Sequence, residues 1–529
     1  MTEPSKPSPY RAPQATNEAA GKQRADGSVE NDQEHHHRTL SLFDCVCIII
    51  GTIIGAGIFQ LPSSLANIVP SSGWMIGMWL VGGAIALIGA LCFAELTTTY
   101  PDRGGDYGYL KRAFGRRVGF AFSWAAFWVI RPGNISVMAI VFGIYARDAF
   151  TPSIPKAWYA MMALVVVSGV NLFGLKAGKW SQNLLAVAKV TGILVILLTA
   201  IAFVPAQDEA NEKDTPANVT TPSDVTDDTS QANDSEPSNA TETTAGDTES
   251  SVDDNEQASE EKAAATSFHS WFWLSLVLVM FAFGGWNDIA FVASEVERPQ
   301  VNLFRSLLLG TLGVLAIYLL FNTALLFGMG MDGLASHDGS NAPTEFVAQR
   351  LGEIGGRFLA TLVCVSCVGA VSAMIFTSPR IYWATAKDYP SLKWLAGDHN
   401  GWRRSMLLQT VVTAIFIAVF GGYESSFDVM VTASAPYFWS FLGLTVVSLM
   451  VLRQRYRGTG EYQNGFRVWY PFLPILFVVV CGFMSYRATT FMISQGFGWH
   501  AAGIGGWIVV GLISSLMLQP VDQSSEKSS

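Results

Sequence analysis

Residues Leu40 to Pro70 read LSLFDCVCIIIGTIIGAGIFQLPSSLANIVP, with Asp44 as the only charge. The run is long enough to cross a bilayer as a helix, which takes roughly 20 apolar residues. Yet its centre holds Gly51, Gly55, Ala56 and Gly57. Glycine costs about 1 kcal/mol relative to alanine inside a helix. In lipid, freed N–H and C=O groups find no water, so an opened helix persists only where it lines a cavity or a binding site. The stretch predicts a broken spanning helix with bare backbone near the membrane midplane.

A second stretch has the same character. Trp271 to Glu295 reads WFWLSLVLVMFAFGGWNDIAFVASE, with Gly284 and Gly285 at its centre. Paired glycine-interrupted spans, one opening each half of a chain, point to the substrate site of a secondary transporter. The plainer alternative is two helices whose small residues let neighbours pack closely.

The rest of the chain suits a polytopic membrane protein. Half of its 529 residues are hydrophobic and 14% are charged. Apolar runs of spanning length fall near 40–69, 74–99, 118–146, 155–174, 182–204, 270–296, 303–330, 358–385, 405–421, 424–452, 469–487 and 499–518. The expected fold is therefore all-α with about twelve transmembrane helices. The divisions are a polar cytoplasmic tail over 1–39, helices one to five over 40–204, an acidic insert over 205–267, helices six to ten over 268–452, a loop and two more helices over 453–518, and a tail over 519–529. The first 39 residues have no apolar core, so no signal peptide is expected and the first span serves for insertion.

Charge sets the orientation. Arg103, Lys111, Arg112, Arg116 and Arg117 follow the second span, and Arg453, Arg455, Arg457 and Arg467 follow the tenth. Lysine and arginine favour cytoplasmic loops, so both termini are expected inside the cell membrane. The net charge of −9 belongs to the insert: Gln207–Lys262 holds seventeen acidic residues against two lysines. Placed outside and poor in apolar side chains, that insert is expected to be disordered. The six cysteines, Cys364 and Cys367 among them, sit in apolar spans and read as packing. His35, His36 and His37 form at best a weak metal site.

An unwound helix offers N–H groups to a carboxylate and C=O groups to an ammonium. Two such breaks facing each other suit the zwitterionic headgroup of an α-amino acid. A sugar would call for many Asn, Gln, Asp and Trp side chains, and a metal ion for carboxylates or histidines. Phe281, Phe283, Trp286 and Asn287 flank the second break, where aromatics can close over an apolar side chain or serve packing alone. Three ionisable residues lie inside spans. Lys189 can replace a bound Na⁺, hold the first helix, or snorkel to the headgroups. Arg131 precedes Pro132 and is expected to bond carbonyls that the proline leaves free. Asp288 is a candidate proton or amine site, or a partner for spare backbone N–H groups.

Four stretches together resemble the amino acid–polyamine–organocation superfamily, and within it the L-type amino acid transporter branch. They are Gly51–Phe59 (GTIIGAGIF); Ala94–Pro101 (AELTTTYP) followed by Gly104–Tyr107 (GGDY), Phe114 and Gly115; Phe281–Asn287 (FAFGGWN) continued by Glu295 and Pro299; and Ser378–Tyr382 (SPRIY) with Ala386 and Asp388. The resemblance covers Leu40 to about Leu518 apart from the insert. It implies a LeuT-like fold of two inverted five-helix repeats plus two C-terminal helices. It also implies Na⁺-independent amino acid transport, often by exchange.

By that resemblance Ile54, Gly55, Ala56 and Gly57 contact the headgroup, and Phe281 is the gating aromatic. Gly284, Gly285, Trp286 and Asn287 line the pocket, and Lys189 occupies the region of a Na⁺ in sodium-coupled relatives. Ala56 replaces the usual serine. Branch members with cationic substrates carry an acid at the position of Gly284, so neutral substrates are expected. The animal members join a glycoprotein heavy chain through a cysteine between helices three and four. The loop Ala146–Lys156 has none, so no disulfide-linked heavy chain is expected.

No catalytic residue, enzyme activity, cofactor, resident metal or nucleic-acid partner is expected. The expected partners are an amino acid and the lipid bilayer. Two alternatives stay open. A cationic amino acid or polyamine carrier would use Asp288. A non-transporting sensor would need a long folded cytoplasmic domain, which the short polar tails Met1–Arg38 and Asp522–Ser529 do not offer.

Overall fold

The computed structural model describes residues 38–101, 104–150, 153–172, 175–202, 271–336, 342–396, 399–423, 426–456, 469–494 and 498–517. The acidic insert, the three histidines, the C-terminal tail and nearly all of the N-terminal tail lie outside these residues. The described elements are helical. In order they are α1 (Leu42–Ile53), α2 (Gly57–Ala66), α3 (Ser72–Thr99), α4 (Asp106–Phe114), α5 (Arg116–Ala125), α6 (Arg131–Ala149), α7 (Lys156–Leu172) and α8 (Leu175–Ala202). Next come α9 (residues 271–282), a 3₁₀ segment (Trp286–Glu295), α10 (Pro299–Ala335), α11 (Ala342–Thr377) and α12 (Pro379–Asp388). The last are α13 (His399–Phe420), α14 (Ser426–Arg455), α15 (Phe472–Ser494) and α16 (Gly498–Met517).

Among the described residues eight helices are long and apolar enough to cross a membrane, nine if α1 and α2 count as one bent span. Three shorter apolar stretches, in α7, α8 and α16, bear on the expected twelve. The chain is an all-α polytopic membrane protein. Large apolar side chains such as Phe327, Ile354 and Trp180 stand exposed on its surface. In water such a surface would be costly, whereas a bilayer accepts it.

Asp44, the one charge of the first span, starts α1. Its carboxylate accepts from the Ser41 backbone N–H at 2.8 Å while the Ser41 hydroxyl accepts from the Asp44 N–H at 3.3 Å. This reciprocal cap satisfies donors that a helix start leaves open. Asn183 of α8 donates to the same carboxylate at 2.6 Å, so the cap also ties α1 to α8.

Both glycine breaks are present. α1 stops at Ile53, Ile54 is extended (φ −73°, ψ 92°), and α2 leaves at a 41° bend. α9 stops before Gly285, whose φ is +113°. The chain then runs for ten residues as 3₁₀ helix, where runs beyond three or four residues are uncommon. A π turn, Ala126–Ile130, joins α5 to α6 just before Arg131. Such turns commonly mark functional sites.

Candidate functional site

The two breaks touch. A Cβ on Gly57 would sit 3.0 Å from the Ala282 Cβ, and one on Gly285 would sit 3.0 Å from the Thr52 carbonyl oxygen. The Thr52 hydroxyl lies 3.0 Å from the Gly285 carbonyl. The Tyr318 hydroxyl of α10 reaches the Ile53 carbonyl at 3.1 Å and the Ala282 carbonyl at 3.0 Å, the C-terminal ends of both first half-helices. It has one proton and two acceptors. Replacing Tyr318 with phenylalanine leaves both buried carbonyls without this donor, a loss of about 1–3 kcal/mol. A thermal melt of the purified variant should show a midpoint lower by several degrees, and an unchanged midpoint would count against this bond.

Lys189 does not snorkel. It is fully buried, and its ammonium donates to the carbonyls of Gly51 at 3.1 Å, Ile54 at 2.7 Å and Ser366 at 3.2 Å. An ammonium has three donors, and here each has an acceptor. The Ser366 hydroxyl adds bonds to the Ile54 and Gly55 carbonyls at 3.2 and 3.4 Å. The Ala56 N–H points at the Met138 sulfur, 3.4 Å away. The geometry excludes snorkelling and places the ammonium at the opened end of the first helix.

Arg131 departs from its expectation, and Asp288 supplies its partner. Arg131 is not turned to carbonyls freed by Pro132. It forms a bidentate pair with Asp288, at 2.7 and 2.8 Å, and stacks over the Phe291 ring at 4.7 Å. The Thr377 hydroxyl donates to the same carboxylate at 3.2 Å. The pair joins α6 to the 3₁₀ segment and is buried. Asp288 thus has a side-chain partner and does not serve spare backbone N–H groups.

A central cavity of about 60 Å³ lies between these groups. Of the predicted residues, Gly57, Phe281, Gly284, Gly285, Asn287 and Asp288 line it. Ile54, Gly55 and Ala56 are not in its wall, since their backbone faces Lys189, Ser366 and Met138. Trp286 packs between Phe93 and Phe477, at centroid distances of 5.1 and 6.1 Å, and also stays out of it. The sequence reading missed Asp106, Asn134 and Ser434, which line the cavity as well. Ser434 and Asn134 are 3.3 Å apart. Asp106 stood within the GGDY motif, but a motif letter gave it no chemistry.

A second chamber of about 320 Å³ shares Phe281, Val431 and Ala435 with the wall of the central cavity and is lined also by Leu274, Phe427, Arg487 and Phe491. Phe281 belongs to both walls and meets Phe427 edge to face at 5.8 Å. At the other end a layer of ion pairs closes the bundle. Arg380 holds Glu295 at 3.1 Å, Lys111 and Tyr107 hold Asp388, and Arg453 holds Glu95. The N–H groups of Thr39 and Leu40 both bind the Glu295 carbonyl.

No His, Cys, Asp or Glu cluster able to hold a metal occurs among the described residues. The side chains at the breaks include no nucleophile beside a base. What the arrangement provides is opened backbone, an aromatic ring in the cavity wall and a neutralised charge pair.

Comparison with known proteins agrees with this architecture. The amino acid permease family matches residues 40–513. The b(0,+)-type amino acid transporter 1 of Mus musculus is 25% identical over 421 residues, 79% of this chain and 76% of that protein. The serine/threonine exchanger SteT of Bacillus subtilis (strain 168) is 24% identical over 444 residues, covering 83% and 88%. The large neutral amino acids transporter small subunit 2 of Oryctolagus cuniculus is 26% identical over 423 residues, covering 79% and 70%. With the matched stretch containing both breaks, Lys189 and the Arg131–Asp288 pair, the chain belongs to the amino acid permease family, in its L-type-like branch, and is a transporter rather than an enzyme.

Proposed function

We propose that the chain is a secondary active transporter that moves neutral α-amino acids across the cell membrane by alternating access. It works without Na⁺, as an exchanger or a proton-coupled symporter. The observation that carries this reading is the direct contact of two opened helices beside a cavity bounded by Phe281. The first-turn N–H groups of α2, at Gly57 and Ile58, have no acceptor within their own helix and suit a carboxylate. Gly284, Gly285 and Asn287 form the facing wall. Ile54, Gly55 and Ala56 act as supporting backbone, and Lys189 is the fixed cation that holds it. Arg131 and Asp288 cancel each other, which favours a neutral substrate side chain.

Phe281 is the aromatic ring common to both chamber walls, and in this reading it is the gate between them. Removing its ring in Phe281→Ala should cut uptake about tenfold or more, because the substrate is no longer sealed from water. Labelled uptake into liposomes measures this, and a wild-type rate would remove Phe281 from the gate.

The reading itself is tested with purified protein in liposomes, loaded with a neutral amino acid mixture or left empty. Labelled leucine, serine, alanine or arginine is added outside. Uptake of the neutral amino acids supports the reading, and the need for internal load separates exchange from symport. Arginine as the sole substrate would favour the cationic carrier, and no uptake under any condition would refute transport of these amino acids. The termini are expected in the cytoplasm, and no disulfide-linked heavy chain is required.

A further inference from the structure

Three ionisable side chains line the central cavity: Arg131, Asp288 and Asp106. Arg131 commits both Nη groups to Asp288, so that pair is neutral. Asp106 is 3% exposed, and its Oδ1 has no hydrogen-bond partner. The Asn287 Oδ1 is the one other buried side-chain atom of this wall without a partner among the described residues. Both unmatched atoms are acceptors, and the side-chain hydrogen bonds the Asp106 carboxyl does have, from Asn287 and Thr445, leave its Oδ1 without a donor.

Asp106 is held in place by backbone. Gly104 and Gly105 have φ of +98° and +45°, and a Cβ on Gly105 would come within 2.9 Å of the Ala290 backbone. The groups facing the carboxyl are Arg131 of α6, Asp288 and Asn287 of the 3₁₀ segment, and the Thr445 hydroxyl of α14. α5 adds Phe122 to the same wall, and the Tyr382 side chain of α12 lies near Arg131 with its hydroxyl donating to Gln409. Neither brings a further cation. An ionised Asp106 would leave one uncompensated negative charge out of water. Burial pushes its carboxyl up to about 7, against the lowering effect of Arg131.

We propose that Asp106 carries the coupling proton of the transport cycle. The carboxylate takes one proton from water on the acidic side as the amino acid binds. It passes through the closed state neutral, and returns the proton to water when the cavity opens on the other side. The bound proton removes the lone charge and gives the unmatched Oδ1 a hydrogen of its own. This inference rests on the transporter reading and selects its proton-coupled form.

The test uses the full chain in liposomes that enclose a fluorescent pH dye, with labelled alanine outside. Wild-type protein should acidify the lumen only when alanine is added. A single group titrating near neutrality predicts uptake rising about tenfold from about pH 8 to about pH 6. Asp106→Asn should show no alanine-dependent acidification and a flat pH profile. Asp106→Glu should keep acidification with a displaced profile, and decides the matter if the asparagine variant does not fold. Alanine uptake by the wild type without acidification overturns the inference while leaving the transporter reading intact. So does Asp106→Asn acidifying like the wild type, or arginine entering in place of protons. No uptake of any amino acid would instead remove the reading beneath it.

Discussion

Lys189→Ala abolishes amino acid uptake and lowers the melting temperature of the protein. The ammonium is the shared donor for the Gly51, Ile54 and Ser366 carbonyls, all away from water. The Ile54 carbonyl keeps the Ser366 hydroxyl, whereas the Gly51 carbonyl loses this donor, and a buried acceptor left unmatched costs about 1–3 kcal/mol where α1 opens. Arginine is no substitute. A Cβ on Gly369 would already lie 3.0 Å from Nζ, so no room exists for a planar fork. Labelled uptake into liposomes, with gel filtration to show that the protein remains monodisperse, checks both parts. Near-normal uptake by the alanine variant would remove Lys189 from the transport machinery.

Gly285→Ala has the second large effect. At φ +113° a side chain is strained by about 1–3 kcal/mol. The added methyl would also press on the Thr52 carbonyl at 3.0 Å. Relief requires the two breaks to part, which displaces the contact between Thr52 and Gly285. Uptake should fall to background and the thermal midpoint by several degrees. Gly284→Ala is the control: its backbone is not left-handed, and its nearest neighbour is the Phe281 carbonyl at 3.2 Å. Equal losses in both variants would show that local crowding, not the left-handed backbone, decides the effect.

Much of this was legible in the chain because glycine and apolar length act locally. The breaks at Gly55–Gly57 and Gly284–Gly285 were read from single stretches, and the structure has both. Long-range partners were not legible. Arg131 and Asp288 are 157 positions apart, and nothing in either neighbourhood names the other. Pro132 suggested a local role for the arginine, but the π turn before it belongs to a helix that meets the 3₁₀ segment. Tyr318 was passed over because an aromatic inside an apolar span looks the same whether it packs or bonds. The Asp44 cap was there to be read as Ser-x-x-Asp. Trp286 and Ile54–Ala56 were placed in the pocket by resemblance, and their contacts with Phe93, Phe477, Lys189 and Met138 are long-range partners that no local stretch announces.

The 3₁₀ segment also sets a length. Ten residues at about 2.0 Å each reach about 20 Å, whereas the same residues wound as an α-helix reach about 15 Å. The segment is therefore a drawn-out half-span, anchored at Gly285 by the first break and at Glu295 by Arg380 and by the N–H groups of Thr39 and Leu40. Rewinding it would shorten the distance between those anchors by about 5 Å, close to one helical turn. The contacts at Glu295 hold the far end of the segment, so any such rewinding would have to break them or carry that layer with it.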